Sequence, residues 1–199
     1  MKLILASASQ NRLSLLKSVG VNPDQIISPN IDETPLKRES SDKLALRLAN
    51  QKAEAVAAIL SEDALIIAAD TIVGTKTKVF EKTSTDDEVR KSIEFFSGRR
   101  IYIKTAVAVI KIENGVITAK STKLVIGKVK FKRLSIEEIN HYVDSKIGLR
   151  VSGGLNIENY GQVLIKEISG SHSGIIGLPL YETMNMLKGL GHDPFKSKS

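Results

Sequence analysis

Five short stretches of this chain carry side chains suited to phosphate chemistry. Ser7-Ala8-Ser9-Gln10-Asn11-Arg12 follows an apolar strand, Lys2–Ala6, and opens a helix expected from Asn11 to Val19. Backbone N–H groups at a helix start, two hydroxyls and an arginine suit an anion, and an ordinary N-cap with a solvated arginine is the alternative. Asp70-Thr71 closes an apolar run, Ala64–Ala69, at the place where α/β sheets bind ligands. A carboxylate there needs a metal or a donor, unless it only turns the chain. Ile31-Asp32-Glu33 lies in a loop flanked by Pro29 and Pro35. One of its acids together with Asp70 would suit a hard divalent cation, and two solvated loop acids are the bland alternative. Lys52 falls on the apolar stripe Ala45-Leu48-Ala49-Val56, where it either snorkels to water or reaches a phosphate. Lys82, in Phe80-Glu81-Lys82-Thr83, is a similar candidate in a loop. Carboxylates, cations and an anion-binding turn together fit metal-assisted phosphate chemistry, although spacing alone does not bring them to one place.

The elements that must position these residues alternate between helix and strand. Apolar residues at three- and four-residue steps predict the strongest helix over 42–60. Thr85-x-x-Glu88 and Ser135-x-x-Glu138 are capping boxes that start helices running to Ser97 and to about Ser145. Asn114-Gly115 joins two β-rich segments, Ile101–Ile112 and Val116–Lys132, as a two-residue hairpin. A glycine-containing loop, 148–161, precedes a strand, Val163–Ile168, and Gly177-Leu178-Pro179 leads into a last helix, 180–188. The order predicts an α/β fold with a mixed sheet, because the hairpin forces antiparallel pairing. With no repeat and no linker, residues 1–199 are expected to form a single domain.

Composition narrows the classes. The 199 residues are 42% hydrophobic and carry a formal net charge of +7, which excludes a disordered chain. The absence of cysteine excludes disulfides, thiolate metal sites and a cysteine nucleophile, and it agrees with a cytoplasmic setting. No apolar run is long enough to span a membrane, and the apolar start is too short for a signal-peptide core. The surplus positive charge sits in residues 111–133, where Lys111, Lys120, Lys123, Lys128, Lys130, Lys132 and Arg133 face one acid, Glu113. Polyanion binding is one explanation, and lysines guarding an exposed sheet edge are another. Only Phe131 is there to stack on a base, so nucleic acid is not the expected partner. There is no P-loop, no dinucleotide fingerprint and no zinc motif.

Several blocks occur in an ordered series: Leu5-Ala6-Ser7-Ala8-Ser9, Ile31-Asp32-Glu33, Leu48-Ala49-Asn50-Gln51-Lys52-Ala53, Ala68-Ala69-Asp70-Thr71-Ile72-Val73, Ser97-Gly98-Arg99, Ile168-Ser169-Gly170-Ser171 and Gly177-Leu178-Pro179-Leu180. The series resembles the Maf family of septum-formation-like nucleoside triphosphate pyrophosphatases, over nearly the whole chain. The resemblance implies a fold like that of the inosine-triphosphate pyrophosphatases, an elongated mixed sheet with flanking helices around a central cleft, often as a homodimer. It implies hydrolysis of a nucleoside triphosphate to the monophosphate and pyrophosphate with Mg²⁺ or Mn²⁺, and a link to cell-division arrest. Asp70 matches the family's proton acceptor. Glu33, Lys52 and Lys82 match its site, with Glu33 and Asp70 as metal ligands. Ser7, Ser9 and Arg12 match its phosphate-side turn. Ala69-Asp70-Thr71 is similar to the branch that prefers dTTP and UTP, which puts Thr71 on the substrate side.

The chain departs from that pattern in places. Gln10-Asn11 replace a proline and an arginine, Thr83 replaces a proline, and Ile101 replaces a histidine. Val151 stands at a family lysine, beside Arg150, and Glu158 stands at a substrate-side glutamine. Loss of a cation and gain of an acid are expected to weaken triphosphate binding. A catalytically weakened nucleotide sensor or division inhibitor is therefore the second expectation, and a nucleic-acid module built on the lysine-rich hairpin is the third.

Overall fold

The computed structural model describes residues 1–195; residues 196–199, the end of the expected 1–199 domain, lie outside the described residues. The chain forms two compact units. The strand order is β2 (Gln25–Ile26), β1 (Lys2–Ala6), β3 (Ala64–Gly74), β5 (Arg100–Glu113), β6 (Val116–Phe131) and β7 (Ile165–Ser169), with β4 (Val79–Phe80) paired to β3, in a mixed sheet. The expected α/β class with a mixed sheet and helices is what the chain adopts.

The first unit comprises Met1–Asp70, Thr105–Val125 and the described residues from Gly177 onward. β1 (Lys2–Ala6) runs parallel to β3 (Ala64–Gly74), with Leu3 opposite Leu65 and Leu5 opposite Ile67. β2 (Gln25–Ile26) extends the parallel set on the other side of β1. Unbroken apolar runs are what strands covered on both faces require, and Ala64–Ala69 are buried throughout. Parallel neighbours need a long crossover, which α1 (Gln10–Ser18) and α2 (Ser41–Ala57) occupy. Leu16, Leu65, Ile67, Val107 and Leu187 share one apolar core there, with α7 (Leu180–Gly189) contributing the last of them.

The second unit comprises Thr71–Lys104 and Ile126–Ile176. Its core joins α3 (Asp86–Phe96), α4 (Ile136–Asp144) and alternate residues of β5 (Arg100–Glu113) and β6 (Val116–Phe131). Phe96 is its hub, with ring centroids 4.9 Å from Phe80 and 5.4 Å from Phe131. Both expected capping boxes form, at Thr85 with Glu88 and at Ser135 with Glu138. Asn114 and Gly115 both take positive φ, as the two-residue hairpin turn demands.

Three boundaries differ from expectation. β3 does not stop at Asp70 but continues to Gly74, because Thr71, Ile72 and Val73 are β-branched and carry the strand on. It then turns into β4 (Val79–Phe80), with Gly74 opposite Val79. A Cβ on Gly74 would lie 2.4 Å from the Lys78 carbonyl oxygen, so the turn needs glycine. The expected strand Val163–Ile168 is instead a short helix, α5 (Gly161–Leu164), followed by β7 (Ile165–Ser169). One helical turn is too short to show a period in sequence. α6 (His172–Ile176) was not expected for the same reason.

β7 pairs with β6 only from Lys128 to Phe131. Among the described residues β6 is the last strand of the order before Lys128, so Lys120 and Lys123 lie on a sheet margin. Much of the basic segment is also locally paired. Lys111 meets Glu113 at 2.8 Å, Lys120 meets Glu54 at 2.7 Å, and Lys132 meets Glu138 at 2.5 Å. Lys130 donates to the Gly98 carbonyl at 2.6 Å.

Candidate active site

Lys52 sits on the buried stripe of α2, one turn after Leu48 and one turn before Val56. Its side chain is 7% exposed, so it does not snorkel to water. The ammonium is held instead by two carboxylates, Asp70 Oδ1 at 2.5 Å and Glu33 Oε1 at 2.8 Å. Burial of an ammonium costs several kcal/mol unless an opposite charge and hydrogen bonds offset it. Asp70, itself 7% exposed, is that counter-charge. Each of the two ions makes the burial of the other tolerable.

Glu33 differs from Asp70 in one respect. Its side chain is 44% exposed, so the same ammonium joins a buried carboxylate to one that faces solvent. Glu33 thus presents its carboxylate towards solvent, while Asp70 is buried on β3.

Arg12 adds a second cation. It projects from α1, donating through Nη1 to Ser7 Oγ at 3.1 Å and through Nε to the Gly177 carbonyl at 2.9 Å. Burial lowers the pKa of its guanidinium from the usual arginine value, while the negative charges of Asp70 and Glu33 act to raise it. Arg12 therefore lies within electrostatic reach of both acids. Ser7 is buried immediately after β1, and its hydroxyl also accepts from the Ser9 amide at 3.1 Å. Ser9 occupies the N-cap of α1, but its side chain makes no cap hydrogen bond. The first turn of the helix thus has no side-chain cap on its N–H groups, in keeping with an anion-accepting turn.

The remaining predicted residues lie in the second unit. Lys82 stands on a short antiparallel strip in which residues 81–83 pair with 150–153. Lys82 bridges Ser152, the Arg150 amide donates to the Thr83 carbonyl at 2.8 Å, and the Gly153 amide donates to the Glu81 carbonyl at 2.7 Å. Thr83 is buried and Lys82 is exposed. Thr71 follows Asp70 on β3 with its side chain on the opposite face, and its carbonyl accepts from Ser152 Oγ at 3.1 Å. Glu158 is half-buried, its amide donating to Asn156 Oδ1 at 2.8 Å. Nearby, the Tyr142 hydroxyl donates to the Gly154 carbonyl at 2.7 Å and accepts from the Asn156 amide at 2.8 Å. Burial pushes the Tyr142 phenol up to about 12.

Of the residues inferred from sequence, Lys52, Asp70 and Glu33 meet directly, and Arg12 and Ser7 form the adjoining turn. Sequence reasoning missed Arg47 and Glu39. They form a two-pronged ion pair beside the Glu33 loop, with Nε to Oε1 at 2.7 Å and Nη2 to Oε2 at 2.8 Å. Nothing in their spacing marks them, since the loop conformation brings them together.

A family model described as Maf-like protein matches residues 2–190. A protein of Orientia tsutsugamushi (strain Boryong) named nucleoside triphosphate pyrophosphatase is 45% identical over 197 residues, covering 99% of this chain and 96% of its own length. A protein of the same name from Rickettsia felis is 45% identical over 189 residues, covering 95% and 93%. Among solved structures, a HAM1 protein from Coxiella burnetii aligns with a TM-score of 0.51 at 16% identity, covering 95% of this chain and 99% of its own. That likeness is one of fold.

Proposed function

Since the chain belongs to the Maf-like protein family, we propose that it hydrolyses a nucleoside triphosphate to the monophosphate and pyrophosphate. The observation that carries this is the buried Lys52 held between Asp70 and Glu33 beside the Arg12 turn. Water attacks the α-phosphorus, a bond forms from water oxygen to phosphorus, and the bond from that phosphorus to the bridging oxygen breaks. Asp70 takes the proton of the attacking water. Lys52 holds the Asp70 carboxylate in place, and Arg12 with Lys52 offsets charge gathering on the pyrophosphate.

Among the described residues, no three metal-binding side chains cluster. Two carboxylates on one ammonium nevertheless fit Mg²⁺ or Mn²⁺, which takes most of its ligands from water and substrate phosphates. Glu33 and Asp70 would hold such an ion, and when bound it supplies charge neutralisation and acidifies water. The similarity of Ala69-Asp70-Thr71 to the family branch that prefers dTTP and UTP supports these as the preferred substrates.

The test is a panel of common and modified nucleotides with Mg²⁺ or Mn²⁺ in ¹⁸O-labelled water. Pyrophosphate release with label in the monophosphate is expected, dTTP and UTP leading. Release of orthophosphate with a nucleoside diphosphate would reject the assignment. Val151 at a family lysine and Glu158 at a glutamine favour the second reading, a nucleotide sensor. Tight binding of every nucleotide tried with no turnover is what that reading expects.

A further inference from the structure

Glu33 lies on a segment with little internal support. Residues 27–40 join β2 to α2 without a single helical or strand residue, and most of them are exposed. Inside the segment the Thr34 amide donates to Asp32 Oδ1 at 2.9 Å, and a turn closes from the Glu39 amide to the Leu36 carbonyl at 3.0 Å. Arg38 takes φ 61° within that turn, which is costly for a residue with a Cβ. The turn folds Glu39 back so that its Oε2 accepts the Leu36 amide at 3.0 Å.

Arg47 gathers these pieces. From the rigid α2 its guanidinium reaches both Glu39 oxygens, and Nη2 also donates to the Thr34 carbonyl at 3.0 Å. Nη1 is braced by Gln51 Oε1 at 2.9 Å, one turn along the same helix. The Glu39 side chain is only 7% exposed and the Arg47 side chain 19%, unlike an ordinary surface pair. The Thr34 carbonyl that Arg47 grips is one residue from Glu33. Hydrogen bonding to Arg47 and to the Leu36 amide holds the Glu39 carboxyl at about 2, and the raised Arg47 pKa has Glu39 as its main cause.

We propose that Arg47 is a positioning residue for the reaction, pinning the 33–39 loop through Thr34 and Glu39 so that the Glu33 carboxylate stays on Lys52 and available to a divalent ion. A lysine would replace it only in part. One ammonium lacks the planar fork that meets two carboxylate oxygens and a carbonyl together. The inference rests on the proposed pyrophosphatase reading for its catalytic consequence, but not for the clamp itself.

The experiment uses the full chain and three variants: Arg47→Ala, Arg47→Lys and Glu39→Gln. Amide hydrogen exchange over 33–39 reads the clamp without turnover, and Mg²⁺ titration of pyrophosphate release reads its consequence. In Arg47→Ala, exchange over 33–39 is expected to rise at least about tenfold, with α2 and β3 unchanged. The Mg²⁺ concentration for half-maximal rate is expected to rise about tenfold or more, the range that outer-shell partners of metal ligands show. Arg47→Lys and Glu39→Gln should fall between it and the parent, and they carry the test if Arg47→Ala does not fold. Unchanged exchange would overturn the clamp. Faster exchange with an unchanged Mg²⁺ requirement would overturn its role in the reaction. A parent chain that hydrolyses no nucleotide ends the pyrophosphatase reading and the positioning role with it, while exchange still decides the clamp.

Discussion

Lys52 and Lys82 offer similar chemistry, yet the chain holds them in opposite ways. Lys52 is sealed into the first unit by a helix stripe and two carboxylates, whereas Lys82 is exposed on a backbone-paired strip in the second. One cation is fixed by ion pairs, one of them buried. The other is fixed by main-chain pairing that leaves its side chain at the surface. Removing the Lys52 side chain should therefore cost far more stability than removing that of Lys82.

Substitutions at the buried pair give the largest effects. Lys52→Met would leave Asp70 buried without its cation, a loss expected to cost about 3–5 kcal/mol in urea unfolding. Lys82→Ala sharpens the contrast from the other side. It should change stability by about 1 kcal/mol or less in the same unfolding measurement. A large loss of stability in Lys82→Ala would erase the distinction.

Tyr142→Phe tests the support of the Lys82 strip. Its hydroxyl ties Gly154 and Asn156 together, so removal should cost about 1–3 kcal/mol. The folded phenol is raised to about 12 from 10.0, so the parent should lose stability as pH climbs from 10.0 through about 12. Tyr142→Phe lacks that alkaline loss, which unfolding measured across that range would show. Lys120→Ala, which removes the exposed pair with Glu54, is expected to change stability by about 0.5 kcal/mol or less in the same unfolding assay.

The sequence shows the local elements well and the convergence poorly. Capping boxes at Thr85 and Ser135 and the Asn114-Gly115 turn are written in adjacent residues and appear as expected. Lys52 was legible as an anomaly, a charge where the period asks for an apolar side chain, but its partners are 18 and 19 residues away in sequence. Asp70 misled as a strand end because a lone polar residue breaks an apolar run, whereas Lys52 neutralises it and β3 continues. Arg47 and Glu39 left no trace, since their meeting depends on a loop with no repeating pattern.

The most direct measurement is the rate of pyrophosphate release from the preferred nucleotide by Asp70→Asn, beside the parent chain under saturating Mg²⁺. Asparagine keeps the size and a hydrogen-bonding oxygen for Lys52 but cannot accept the water's proton. A fall of at least about 100-fold with the fold intact is predicted. Turnover equal to the parent's would contradict the assignment of chemistry to this site.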